Sequence, residues 1–255
     1  MSGSMDTARG ILTGCDKRHE WMLKWWWTHY SRYNTYPVVF CDFGMTKSAR
    51  TWCASKGQIF VSDLSDRWIA ADDQIDSRLL KIWEILHSKG SRQFRKTWFS
   101  KPFVCSHTPF DQTIWIDLDA QVKKPLAPFF IALKKSSEGF ALCRDTPRGY
   151  YLRLYLGILK QCESAYQAGV FVYAKNSPVI KKWQDNCKER NHLFFSDQDV
   201  LNRTIQEERF NVYELSSDYN YIPGYIDLLD SDPLIIHYVT PIGKTSILKK
   251  IGKTA

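Results

Sequence analysis

Apolar and polar positions near the start of this chain switch repeatedly between two periods. GILTG (10–14), PVVFCDF (37–43) and QIFVS (58–62) are short apolar runs of strand length. Between them, HEWMLKWWWTHYSRY (19–33) and TKSARTWCASKG (46–57) place apolar residues at helical spacing, the second closing on Gly57. In the first helix Leu23, Trp26, Trp27 and Tyr30 fall at i, i+3, i+4 and i+7, and Met22 and Trp25 widen that face. Glu20, Lys24, Thr28, Ser31 and Arg32 form the opposite polar stripe. Three consecutive tryptophans would suit a base-stacking platform, but their periodicity predicts an apolar face packed on a sheet. Strand, helix, strand, helix, strand between residues 10 and 62 predicts a doubly wound, mostly parallel α/β sheet flanked by helices.

The pattern continues along the chain. SRLLKIWEILHSKG (77–90) predicts a helix with Leu79, Ile82, Trp83 and Leu86 on one face and Gly90 as its C-cap, and a second helix covers Phe94 to Cys105. TIWID (113–117) is a strand, KKPLAPFFIALKKS (123–136) a helix whose start is marked by prolines, and GFALCRD (139–145) another strand. Residues 146–166 (TPRGYYLRLYLGILKQCESAY) fit neither period and are read as a loop or lid with a short helix. QAGVFVYAK (167–175) is a strand, and the helix NSPVIKKWQDNCKER follows it, capped by Asn176 or Ser177 with Pro178 in its first turn. A short helix in FFSDQDVLNRTIQEE, strands FNVYEL and PLIIHYV, and a basic tail KTSILKKIGKTA complete the series. With no repeat or low-complexity linker, residues 5–255 are expected to form a single domain, and the opening MSGS (1–4) is read as an expression remnant.

Composition narrows the partners. Thirty-five basic against 27 acidic residues give +8, which favours an anionic partner such as a nucleotide diphosphate, a nucleic acid or an acidic membrane surface. Apolar residues at 44% and charged residues at 24% are ordinary for a soluble domain, and aromatics at 15% supply a large core. Seven scattered cysteines without a CxxC pair fit a reducing compartment better than a disulfide framework, and give a zinc site little support. No run reaches membrane-span length and no leader pattern opens the chain, so a cytoplasmic protein is expected.

The stretch TIWIDLDAQV (113–122) carries the chemistry. It puts Asp117 and Asp119 after an apolar run, where burial of two carboxylates is costly. Strand alternation would turn both to one side while Leu118 points to the other. A solvated turn, a phosphatase nucleophile and a divalent-metal site all use such a pair. A haloacid-dehalogenase phosphatase carries it on the first strand, with Thr or Val two residues after the second Asp; here it is midchain and that residue is Gln121. Hard carboxylate oxygens at strand ends suit Mg²⁺ or Mn²⁺ bridging to phosphate, so a metal–nucleotide site is favoured.

Four segments in order, WIDLDAQV (115–122), YQAGVFVY (166–173), SDQDVLN (196–202) and IIHYVTPIGK (235–244), resemble those of GT-A fold nucleotide-sugar glycosyltransferases, most closely the retaining family 8 type. The resemblance covers most of the chain. It implies a single GT-A, Rossmann-like domain that moves a hexose from a UDP-sugar to an acceptor hydroxyl with retention at the anomeric carbon. It further implies that Asp117, Asp119 and His237 hold Mn²⁺ or Mg²⁺, Asp117 also lying near the ribose or sugar, and that Lys244 neutralises the diphosphate. The family usually places this lysine six residues after the histidine, before Pro-Trp; here it is seven residues on and precedes Thr245. Gln198, by likeness nearest the anomeric carbon, and Asp197 would line the sugar pocket, with Gln167, Ala168 and Gly169 beside it. Lys101 and Asp145 are further candidates for sugar or phosphate contact, and Thr13, Gly14 and Asp16 would seat the nucleoside, although the family's acidic pair and Tyr are not evident there.

Each residue also has a plainer use. His237 would serve as a hydrogen-bonded core histidine, Ser196 or Asp197 as a helix cap, Gly169 as relief of strand crowding and Lys101 as a surface charge. The acceptor is expected to be a carbohydrate, a lipid-linked molecule or a protein. The lid and the KKIGK tail mix basic and apolar residues and would suit peripheral contact at a membrane surface. Two rivals remain. A sugar nucleotidyltransferase of the same fold class would carry a Gly-rich basic loop after the first strand, where GCDKRHE has one Gly. A nucleic-acid-binding protein would interleave its aromatics with a basic stripe, which the tryptophans do not do, so no nucleic acid is expected.

Overall fold

Seven strands pair in the order β3-β2-β1-β4-β7-β6-β8 in the computed structural model, which describes residues 8–61, 68–77, 79–81, 95–224 and 232–252. The strands are β1 (Arg9–Cys15), β2 (Val38–Asp42), β3 (Gln58–Val61), β4 (Gln112–Ile116), β6 (Phe140–Arg144), β7 (Tyr166–Ala174) and β8 (Tyr213–Leu215). The four strands from β3 to β4 are parallel, β7 runs antiparallel to both β4 and β6, and β8 is parallel to β6. The expected α/β sheet, mostly parallel and flanked by helices, is therefore present. Every position of β2 is buried because helices cover both faces, whereas the edge strand β3 is half-exposed.

The tryptophan helix α1 (Leu23–Ser31) packs as its periodicity predicts. Trp26 is fully buried, stacked on Tyr30 at 5.1 Å and edge-on to Phe40 of β2 at 6.3 Å. Trp27 tilts over Phe40 and meets Trp52 edge-on, while Trp25 turns the other way to reach Tyr238 at 6.0 Å. The helix is thus wedged between the main sheet and a small second sheet. Thr46 caps the next helix, α2 (Lys47–Ala54), by accepting from Ala49 N, and Glu20 accepts from both the Thr46 backbone and its hydroxyl.

Three elements depart from the predicted pattern, and a fourth goes untested. The helix expected over 94–105 is split into α3 (Arg95–Phe99) and α4 (Lys101–Ser106), because Pro102 cannot donate into a continuous ladder. The helix predicted over 77–90 lies mostly outside the described residues, Ile82, Trp83, Leu86 and Gly90 included. Ala120–Val122, read only as the end of a motif, is strand β5, antiparallel to β9 (Ile235–His237) with Ala120 opposite His237 and Val122 opposite Ile235. The basic tail begins as helix: α9 (Thr240–Lys250) starts two residues beyond β9 and buries Ile247 completely. Single-chain periodicity misses it because one buried residue does not make a stripe.

The remaining helices are α5 (Ala127–Leu133), α6 (Pro147–Tyr155), α7 (Pro178–Arg190) and α8 (Asp197–Glu207). Six of the seven cysteines are buried free thiols and Cys162 is exposed; burial pushes Cys53 up to about 12 and raises the other five buried thiols as well, so no buried thiol is a ready nucleophile. Among the described residues no helix is long and apolar enough to cross a membrane. Because Trp26 fills the seam between helix and sheet, Trp26→Ala is expected to cost about 3–5 kcal/mol in urea unfolding, and the half-buried Trp27→Ala distinctly less.

Candidate functional site

Strand β4 stops at Ile116, one residue before the aspartate pair. The Asp117 N–H still donates to Gly169 O of β7 at 2.9 Å, and the chain then turns, Ala120 N donating to Asp117 O at 3.0 Å. Strand alternation therefore does not bring the carboxylates together; this turn does, and the β5–β9 pairing adds His237 from the far end of the chain. Asp117, Asp119 and His237 each offer one ligand atom, and those atoms all lie within 4.8 Å of one another. Gly169 is required by this convergence. A Cβ there would stand 2.1 Å from His237 Cε1 and 3.0 Å from Asp117 Oδ2.

Each member is held by a named partner. Asp117 Oδ1 accepts from Trp115 Nε1 at 2.6 Å and lies 3.2 Å from Lys101 Nζ. Asp119 faces His237 Nε2 at 3.1 Å through Oδ1 and Lys244 Nζ at 2.8 Å through Oδ2. His237 Nδ1 sits 3.0 Å from Asn220 Oδ1. With Nδ1 donating to that carbonyl, a neutral imidazole keeps its lone pair on Nε2, facing the Asp119 carboxylate. Two carboxylate oxygens and one imidazole nitrogen grouped this closely fit a divalent cation of the Mn²⁺ or Mg²⁺ class. Burial alone would raise the Asp119 carboxyl, but the Lys244 ammonium reverses this and holds it well below the usual carboxylate range.

Lys101 is not a surface charge. Burial opposes its ammonium, yet Asp117 and Asp197 hold it protonated, and Nζ also donates to Ala168 O at 3.0 Å. Asp197 pairs with it at 3.4 Å. Burial pushes the Asp197 carboxyl up to about 6, with Lys101 opposing and Asp117 adding to the rise.

A second cluster adjoins the first. Asp145, one residue beyond β6, accepts from Thr146 N at 2.7 Å and from Gln167 Nε2 and Arg153, and Gln198 Nε2 adds a contact at 3.2 Å. Arg153 also donates to Asp199 Oδ1 at 2.8 Å, which ties α6 to α8. Gln198 Oε1 accepts from Ala168 N at 3.1 Å, so both ends of its amide are engaged. Ser196 and Asp199 form a capping box at the start of α8.

A cavity of about 460 Å³ joins the two clusters. Lys101, Asp117, Asp119, Asp145, Gln167, Ala168, Gly169, Asp197, Gln198, His237 and Lys244 all line it. Thr13, Gly14 and Asp16 do not. Thr13 is fully buried in β1, a Cβ at Gly14 would meet Cys41 O at 2.5 Å, and Asp16 accepts from Arg18 N and His19 N in its own turn. Arg153, Asp199 and Asn220 are the functional-site residues that sequence reasoning missed. The Thr146-Pro147 helix start was the signal that could have placed Arg153 on a helix, since Thr146 does cap α6; Asn220 has no local signal.

The raised Asp197 carboxyl makes a pH prediction. Its folded value lies above its unfolded one, so its charge costs nothing below about pH 4 and costs stability progressively as pH rises through about 6. Without divalent cation, Asp197→Asn is expected to be more stable than wild type by about 1–3 kcal/mol at pH 8. That gain should vanish towards pH 4 in paired thermal melts; a pH-independent difference would contradict it.

No protein-family model matches this sequence, and no curated protein is similar to it. Solved structures are similar in fold. A galactosyltransferase, LgtC, in complex with donor and acceptor sugar analogs, superposes with a TM-score of 0.57 at 16% identity, covering 91% of this chain and 87% of that one. Mouse xyloside xylosyltransferase 1 gives 0.55 at 13% identity, covering 90% and 97%. The glycosyltransferase GlyE of Streptococcus pneumoniae TIGR4 gives 0.56 at 17% identity over 92% of this chain, which spans about half (55%) of that protein. At such identities the likeness is one of fold: the chain has the GT-A-like α/β fold, and it places an Asp, Asp, His cluster beside the sheet's central strand ends.

Proposed function

We propose that this chain, as a single GT-A domain over residues 5–255, transfers a hexose from a nucleotide diphosphate sugar, a UDP-sugar, to an acceptor hydroxyl in a metal-dependent reaction. The observation that carries the reading is the convergence of Asp117, Asp119 and His237 within 4.8 Å, between two lysines and at the wall of a sugar-sized cavity. Asp117, Asp119 and His237 would hold Mn²⁺ or Mg²⁺, which supplies positive charge to the diphosphate as the glycosidic bond breaks. Lys244 is the flexible cation beside this position and would pair with the diphosphate. Lys101, fixed by Asp117, Asp197 and Ala168 O, keeps the carboxylates aligned and adds positive potential at the sugar end.

The second cluster would receive the sugar. Gln167 and Gln198 are oriented by Asp145, and Asp197 and Gln198 present the start of α8 to the cavity. Gln198 Oε1 already accepts from Ala168 N, which leaves it a weak nucleophile. Attack by the acceptor on the face the diphosphate leaves, giving retention, is the route that asks least of these side chains. Helix α6 would border the acceptor: Leu152 and Arg148 line the cavity, and Tyr151 and Tyr155 are exposed beside them. Aromatic and basic groups of this kind suit a carbohydrate, lipid-linked or protein acceptor, for an enzyme working in the cytoplasm and in peripheral contact with a membrane surface.

The nucleotidyltransferase alternative needs free backbone donors after β1 for a triphosphate. Here the Arg18 and His19 amides are consumed by Asp16, which favours the transferase. Pyrophosphate release from UTP and a sugar phosphate would reverse that preference.

Calorimetry against UDP- and GDP-sugars is expected to give Mn²⁺-dependent binding of a UDP-sugar that is lost in the Asp117→Ala, Asp119→Ala double variant. Metal-independent binding by that variant would overturn the reading. Gly169→Ala, whose added Cβ displaces the His237 ring, is expected to keep its circular dichroism spectrum and to lose Mn²⁺-dependent binding by at least about 100-fold, as expected for a mispositioned ligand. NMR of the product is expected to show the donor's anomeric configuration, and an inverted product would remove the retaining assignment.

A further inference from the structure

The two lysines at the metal-ligating carboxylates are not equivalent. Lys101 Nζ has three kinds of partner, Asp117 at 3.2 Å, Asp197 at 3.4 Å and Ala168 O at 3.0 Å, and its side chain is 11% exposed. It is locked. Lys244 Nζ has one partner among the described residues, Asp119 Oδ2 at 2.8 Å, and its side chain is 31% exposed on the first turns of α9. Asp119 is also one of the three groups that would hold a divalent cation together with Asp117 and His237. We propose that Lys244 is an exchangeable counter-cation that competes with the metal for Asp119 and yields the carboxylate when a diphosphate receives its ammonium group, so that metal loading and nucleotide loading depend on each other. This rests on the metal–diphosphate reading above.

The charges show why the exchange is conditional. Asp117, Asp119 and Asp197 face Lys101 and Lys244, three carboxylates against two ammonium groups. A divalent cation on its own turns this excess of one negative charge into an excess of one positive charge. It also sets a like charge beside Lys244 and weakens the pull of Asp119 on its ammonium. In a half-buried site that repulsion is poorly screened. A diphosphate repairs both defects at once: its oxygens accept the freed ammonium and offset the surplus positive charge. Lysine suits the exchange, since its ammonium is a point charge on a flexible stem that can swing between acceptors. Reciprocity follows from linkage: whatever factor the diphosphate lends to metal affinity, the metal lends to diphosphate affinity.

The test separates this exchange from a lysine that merely binds phosphate. Calorimetry with MnCl₂ alone is expected to show Lys244→Met binding Mn²⁺ about tenfold more tightly than wild type, because the competitor for Asp119 is gone, within the usual range of coupling. UDP (or GDP, if the nucleotide panel selects it) is expected to strengthen Mn²⁺ binding about tenfold in wild type and by much less in Lys244→Met. Lys244→Arg, which keeps the charge, is expected to stay near wild type for Mn²⁺ alone. Lys244→Gln provides the neutral variant if Lys244→Met does not melt like wild type. Mn²⁺ binding by a folded neutral variant that is no tighter than wild type would overturn the exchange, while loss of that binding in Asp117→Ala, Asp119→Ala would leave the metal site standing. Absence of Mn²⁺ binding in wild type, with or without nucleotide, would overturn both.

Discussion

Asp119 and His237 are 118 residues apart, and they meet because Ala120 and His237 are opposite partners in a ribbon of two three-residue strands. The rest of the site depends on that pairing. It sets the Tyr238 amide on Asp119 O at 2.8 Å, carries the chain into α9 so that Lys244 reaches the same carboxylate, and gives α1 a second surface to pack against. A three-residue ladder is too short to hold itself. It is held by burial: Ala120, Val122 and Ile235 are fully buried in the core that also takes Trp25 and Trp26. The aromatic helix near the N-terminus therefore supports the site from behind, without lining it.

Charge is the second constraint. Five carboxylates, Asp117, Asp119, Asp145, Asp197 and Asp199, crowd around one cavity, an arrangement stable only if each desolvated charge finds a partner. The structure solves this with two kinds of cation. Lys101 is buried, Arg153 is largely so, and both are multiply bonded and fix geometry; Lys244 is half-exposed with a single partner among the described residues. A divalent cation with a diphosphate would complete the balance. The raised Asp197 carboxyl is the residual cost of burying a third carboxylate beside Asp117.

Much of the fold was legible because burial writes itself into local periodicity. The period of α1, the apolar runs of β1, β2, β4 and β7, and the cap at Ser196 are all set on the scale of one helical turn or one pleat. The site was legible in part. Asp117 and Asp119 stand out as a pair of carboxylates after an apolar strand, and their convergence is real, but its cause was misread. The strand ends at Ile116, so a turn closed by Ala120 aims the two groups. Lys101 was a candidate by likeness alone, with a surface charge as its plainer use, because nothing nearby in sequence says that Asp117 and Asp197 will surround it.

By itself, then, the sequence determined most of the strands and helices, that the sheet would be mostly parallel, and that two carboxylates would stand at the end of its central strand. Those properties depend on neighbours within a few residues. The resemblance had grouped His237 and Lys244 with the aspartates; only the tertiary structure decided that Asn220 and Arg153 join them, that Gly169 must lack a side chain, and that one lysine is locked while the other has a single partner among the described residues. These follow from contacts between residues far apart in the chain, set by strand register and by the need to pair every buried charge, and no local pattern records them.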